Sequence, residues 1–186
     1  MAEPARTHAR HSNPVRIVLA VALLAGCASH DWEEAVSPEP PELSSTALTD
    51  GGVFPTVHTC DGDDLPLPLS WDGSHPDAVE VVLVVDDPDA PGGAFAHWLV
   101  AGLPGTGAIV DGVLPSGAIE GVNGFGEVGY RGPCPPPGDA AHSYRIEVIG
   151  VAEPTELKAG FTADELERAT AGQQLSSANL TGRYSR

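Results

Sequence analysis

Three separated segments carry the residues able to do polar chemistry at a pocket. The first is Asp86-Asp87-Pro88-Asp89-Ala90-Pro91, the second begins at His97, and the third runs from Gly132-Pro133-Cys134-Pro135-Pro136-Pro137-Gly138 to His142 and Tyr144. Two imidazoles, a phenol and the backbone of a rigid Gly/Pro loop suit a small anion such as a phosphate ester. Asp87 would accept a hydrogen bond from one imidazole, fixing its tautomer or favouring its charged form. Other readings fit the same residue types. His97 or His142 with Asp87 is a general-base pair, and all three are of types that ligate metals. Capped strand ends and internally satisfied histidines account for them equally. No Ser or Cys nucleophile stands beside either histidine in a motif, and G-x-S-x-G, P-loop and HExxH patterns are absent.

These residues need strands to position them. Residues 79–85 are apolar at nearly every position, which predicts a strand buried on both faces. Asp87 continues the face of Val81, Leu83 and Val85, so its carboxylate is expected to point inward where the chain leaves the sheet. Pro88 and Pro91 stiffen that exit. His97 to Ala101 reads as a second strand and residues 142–151 as a third. On the third, His142, Tyr144, Ile146 and Val148 share one face, with Ser143, Arg145 and Glu147 on the other. One helix is signalled, by a capping box at Thr162 and Glu165 with Gly172 near its end. Abundant Gly and Pro break up longer helices. The chain is expected to be mostly β, with an antiparallel sheet, long loops and a C-terminal helix. Trp71 and Trp98 are expected in its core.

Two motifs fail on context. Gly124-Phe125-Gly126-Glu127-Val128-Gly129 spells a dinucleotide fingerprint, but a Pro-rich stretch follows where a helix must open. Asp61-Gly62-Asp63-Asp64 lacks the later Gly and Glu of a calcium loop and reads as solvated turn carboxylates.

The charge is strongly uneven. The chain has 9 Lys and Arg against 26 Asp and Glu, a formal net charge of −17 over 186 residues. So acidic a chain lacks the cations that neutralise nucleic-acid phosphates or adhere to anionic lipid. Its few basic residues include Arg6, Arg10 and Arg16, ahead of an apolar run at 17–26 too short to span a bilayer. The run ends in Leu24-Ala25-Gly26-Cys27, which resembles a bacterial lipobox. Residues 1–26 are therefore expected to be a signal, Cys27 to be lipidated, and residues 27–43, acidic and Pro-containing, to tether a domain at 44–186 outside the cytoplasm.

Taken together, Asp87-Pro88-Asp89-Ala90-Pro91, His97-Trp98, Gly132-Pro133-Cys134-Pro135-Pro136-x-Gly138 and His142-x-Tyr144 resemble the signature blocks of the phosphatidylethanolamine-binding protein family. The similar branch is that of the bacterial Raf-kinase-inhibitor-like proteins. Cys60-Asp61-Gly62, Pro66 to Trp71 and Leu180 to Arg186 extend the resemblance from about residue 54 to residue 186. It implies a central antiparallel sheet, a second smaller sheet, and an anion pocket needing neither metal nor other cofactor. Its lining would comprise Asp87, Pro91, His97, Cys134, Pro135, His142 and Tyr144. A small anion or phospholipid headgroup is the implied ligand, and a regulatory or inhibitory role toward an unidentified protein is a further implication. Three positions depart from the pattern: Asp86, Phe95 and Pro137. The first and last are expected to make the pocket rim more negative, so that anion binding strengthens as pH falls through the histidine range. With Cys27 assigned to lipid, Cys60 and Cys134 form an even pair in an oxidising compartment, which favours a disulfide; two buried thiols are the alternative.

Overall fold

The computed structural model describes residues 41–72 and 75–186. The expected signal, Cys27 and most of the expected tether lie outside the described residues. The strands are β1 (Glu42–Ser44), β2 (Gly52–Val53), β3 (Leu69–Asp72), β4 (Glu80–Asp87), β5 (Phe95–Leu103), β6 (Gly107–Ile109), β7 (Ile119–Glu120), β8 (His142–Val151) and β9 (Gln174–Tyr184). Strand β1 thus takes in the last two residues of the segment read as tether. One helix, α1 (Ala163–Thr170), precedes β9. It opens on the expected capping box, with Thr162 accepting from the Glu165 amide and Glu165 accepting from the Thr162 amide.

The strands form a six-stranded sheet, ordered β2-β9-β8-β4-β5-β7, and a three-stranded sheet, ordered β1-β3-β6. All pairings are antiparallel except β2 with β9. Two cores follow from the alternation of side chains along β4. Val81, Leu83 and Val85 pack with Leu69, Trp71, Ile109, Trp98 and Ile146 between the sheets. Val82 packs with Leu99, Ile149, Phe161 and Leu166 on the helix side. This is why β4 reads as continuously apolar. Both buried indoles have partners, Trp71 Nε1 donating to the Pro104 carbonyl at 2.9 Å and Trp98 Nε1 to Glu120 at 2.7 Å.

One irregularity matters for the site. Val85 pairs with Trp98 but Asp86 with Ala96, so His97 is an extra residue on β5. The bulge turns neighbouring residues to one side: Trp98 enters the core between the sheets, and His97 meets Tyr144 edge-on at 5.3 Å. A regular strand would have placed one of the two on the helix side.

The floor behind Tyr144 depends on a missing side chain. Tyr144 pairs with Gly182 across β8 and β9. Phe54 lies over that glycine and meets Tyr144 edge-on at 5.8 Å; a Cβ on Gly182 would come within 2.4 Å of the Phe54 ring. Gly182→Ala is therefore expected to displace Phe54 and destabilise the fold by about 1–3 kcal/mol, the usual range for overpacking. Chemical denaturation checks this, and an unchanged midpoint would mean that Phe54 has another place to go.

Candidate functional site

At the end of β4 the chain presents two adjacent carboxylates, and the pleat sends them to opposite faces. Asp86 meets Arg145 in a two-point contact, at 3.0 Å to Nε and 2.9 Å to Nη2. Asp87 faces the other way. Its Oδ1 accepts from the Asp89 amide at 2.9 Å and its Oδ2 from His142 Nδ1–H at 2.7 Å. Only 4% of Asp87 and 6% of His142 is exposed, so this pair is shielded from water. Asp89 in turn accepts from the Ser143 amide at 2.8 Å, fastening the 87–91 turn to β8. The expectation that Asp86 adds negative charge to the pocket rim is thus corrected: its charge is spent on Arg145 across the sheet.

His97 is held from the other side. Its Nδ1 donates to the Arg131 carbonyl at 2.7 Å, and the Arg131 amide donates back to the His97 carbonyl at 3.0 Å. Burial holds the imidazole below its ordinary pKa, only partly opposed by the Arg131 carbonyl and the negative charge of Asp87. Both histidines thus spend Nδ1 on protein acceptors, which leaves Nε2 for the space between them. That space is a cavity of about 220 Å³ lined by Asp87, Ala90, Pro91, Phe95, His97, Phe125, Cys134, Pro135, Pro136 and His142. No Lys or Arg is among the lining residues.

Tyr144 lies behind this lining, fully buried, with His142 stacked on it at 6.4 Å. Its hydroxyl has no hydrogen-bond partner among the described residues. Burial, then the neighbouring charge of Asp87, pushes its ionisation well above the usual phenol range, so the phenol stays neutral.

The Pro-rich wall is buttressed by the acidic turn. Cys60 and Cys134 form a disulfide with Cα atoms 5.4 Å apart. The Cys60 amide donates to the Pro133 carbonyl, and Asp64 accepts from the Gly132 amide at 2.6 Å and pairs with Arg131 at 3.1 Å. Asp61 accepts from the Tyr184 hydroxyl at 2.8 Å and pairs with Arg186 at 2.9 Å; these contacts hold its carboxyl below the ordinary range. The Arg186 carbonyl accepts from the Gly138 amide at 3.1 Å. Asp61 and Asp64 are therefore clamps: Asp61 is exposed in the turn, as expected, yet holds Tyr184 and Arg186, whereas Asp64 is half-buried, which corrects its reading as a solvated turn carboxylate; Asp63 stays exposed.

Sequence reasoning missed Ala90, Phe125 and Pro136 as lining residues, noted Phe95 only as a departure, and placed Tyr144 in a lining that it stands behind. Phe125 sits in the Gly-rich loop set aside as a failed dinucleotide motif. Asn123 ties that loop by accepting from the Phe125 and Glu127 amides, and the Phe125 ring meets Phe95 at 4.9 Å and His97 at 5.8 Å. Among the described residues no three His, Cys, Asp or Glu side chains are gathered to hold a metal ion.

The disulfide closes 74 residues, and removing it is expected to cost up to about 4 kcal/mol on the chain-entropy account. Denaturation of a Cys60→Ala/Cys134→Ala variant measures this, and alkylation before reduction should label neither cysteine in the parent chain. Full labelling of both would exclude the bridge.

Comparison with known proteins bears on the family and the fold. The family model for phosphatidylethanolamine-binding protein matches residues 44–185. A UPF0098 protein of Methanothermobacter thermautotrophicus is 36% identical over 150 residues, covering 77% of this chain and 98% of the relative. A Mycobacterium tuberculosis protein named "Putative lipoprotein LppC" is 38% identical over 151 residues, covering 81% and 75%. Among solved structures, the PEBP homolog CT736 from Chlamydia trachomatis superposes with a TM-score of 0.73 at 31% identity, covering 79% of this chain and 98% of that one. YbcL of E. coli gives 0.73 at 27% identity, covering 78% and 98%. Sequence, fold and relatives agree: the chain belongs to the phosphatidylethanolamine-binding protein family.

Proposed function

We propose that this protein is an exported, membrane-anchored lipoprotein of the cell envelope whose cavity binds a small anion or a phosphate-ester headgroup. One observation carries the binding reading: two imidazoles, each committed through Nδ1 to a protein acceptor, turn Nε2 toward one cavity with rigid proline walls. Such a site positions its ring nitrogens without reorganising when the ligand arrives, and each Nε2 donates once its ring is protonated. The anchoring reading rests on the apolar run and small residues before Cys27 and on the name of the M. tuberculosis relative. A lipidated N-terminus would make electrostatic adhesion to the membrane unnecessary, in keeping with the net charge of −17.

A second reading is favoured by the 2.7 Å contact between His142 and Asp87, the geometry of a general base. The nucleophile would then be water, because Cys134 is committed to the disulfide. A turnover screen with phosphate and carboxylic esters tests this reading, which predicts product release that His142→Ala abolishes.

For the leading reading, phosphate and phosphoethanolamine are titrated against the parent chain and a His97→Ala/His142→Ala variant. Each imidazole lost should weaken binding at least about tenfold, as expected for a hydrogen bond to a charged group. Equal binding by the double variant would show that the ligand sits elsewhere, and the ratio of the two affinities tells a free ion from an amine-bearing headgroup. Separately, Cys27→Ala is expected to move the protein from the membrane pellet to the soluble fraction. A variant that still sediments with membranes would remove the lipid anchor from the proposal.

A further inference from the structure

The two histidines are not equivalent, and the difference lies in what faces them. His142 donates to a buried carboxylate, so a proton added to its Nε2 already has a counter-charge in Asp87. His97 donates to the neutral carbonyl of Arg131. Its ring is 3% exposed and is flanked by Phe95, Phe125 and Tyr144. The charged groups around it are each committed to another partner. From β4, Asp87 holds His142; from the following turn, Asp89 accepts from the Ser143 amide. The Arg131 guanidinium lies over the Phe125 ring at 5.5 Å and is paired with Asp64 and Glu127. Arg186, beside Cys134, is paired with Asp61.

An anion entering this cavity meets no Lys or Arg, and a neutral His97 offers it only the lone pair of Nε2. Protonating that nitrogen turns an acceptor into a donor. In the free protein the resulting charge has no dedicated counter-ion and is disfavoured by burial. The ligand supplies the missing counter-ion.

We propose that His97, and not His142, takes up a proton when a phosphate ester binds, so that the site acquires its positive charge from solvent together with its ligand. This deepens the anion-binding reading and rests on it. The proton comes from water or buffer, adds to His97 Nε2, and is shared in a hydrogen bond with a phosphoryl oxygen; no other bond forms or breaks. Because binding raises the pKa of His97, affinity is greatest below the free-state pKa, falls by about tenfold per pH unit between the free-state and bound-state values, and levels off above the bound-state value.

Dimethyl phosphate is the probe, since it carries one negative charge and has no proton of its own to exchange near neutrality. The full chain in detergent is titrated calorimetrically at pH 7.5 in two buffers of different ionisation enthalpy, with ring ¹⁵N spectra recorded in parallel. The expected result is uptake of about one proton per ligand, a His97 signal that moves to the imidazolium position while His142 holds its state, and affinity falling about tenfold per pH unit above neutrality. His97→Gln, which keeps an amide donor but does not titrate, should bind with no proton uptake and a flat pH profile. Binding without proton exchange, or uptake that the spectra place on His142, would overturn the assignment while leaving the anion site standing. Failure of the parent chain to bind the probe, phosphate or phosphoethanolamine would remove the site and this inference together.

Discussion

A carboxylate buried at the end of a central strand must be matched, and Asp87 is matched by one neighbour on each side. The Asp89 amide closes the turn that leaves β4, and His142 Nδ1–H answers from β8. That requirement fixes several things at once. It sets the register of β8 against β4 at the site end, since a one-residue slip would turn His142 to the helix side and strand the carboxylate. It also sets the tautomer of His142 and so leaves Nε2 for the cavity. The turn 87–91, tied to Ser143, then becomes a cavity wall.

The opposite wall has a different origin. Proline at 133, 135, 136 and 137 restricts φ and removes amide donors, so the segment cannot join a sheet and must be held by what lies outside it. The disulfide, Asp64, and Asp61 acting through Arg186 do this from the 56–64 segment. The guanidiniums of Arg131 and Arg186 stand close to the site, yet both serve carboxylates of the buttress. These cations are used to hold the wall, and the cavity lining is left with imidazoles and no Lys or Arg.

Much of this was legible in sequence, and the legible part is what period and spacing encode. The bounds of β8, the faces of His142 and Tyr144, the burial of β4 on both sides and the capping box at Thr162 all follow from local patterns. What stayed hidden depends on long-range pairing. The bulge at His97 appears only when β4 is laid against β5, so no reading of Phe95 to Ala101 alone could place His97 and Trp98 on one side. Asp61 and Asp64 look like turn residues because their partners Arg186, Tyr184 and Gly132 lie 68 or more positions away. Phe125 is hidden because the spelling of its loop signals only a dinucleotide site, whereas Asn123 shapes the loop to carry an aromatic ring into the cavity.

The adjacent pair Asp86-Asp87 shows how little net charge says about a site. Both residues count equally toward −17. The pleat gives one to Arg145 on the helix side and the other to His142 on the cavity side, and each ends with a partner of its own. With Asp86 neutralised across the sheet, the field at the cavity is set by Asp87, His142 and His97, and of these only His97 lacks a charged partner within the protein. On the proposed reading, an acidic chain holds an anion pocket without a single lining cation because one buried imidazole is left free to be charged by what it binds.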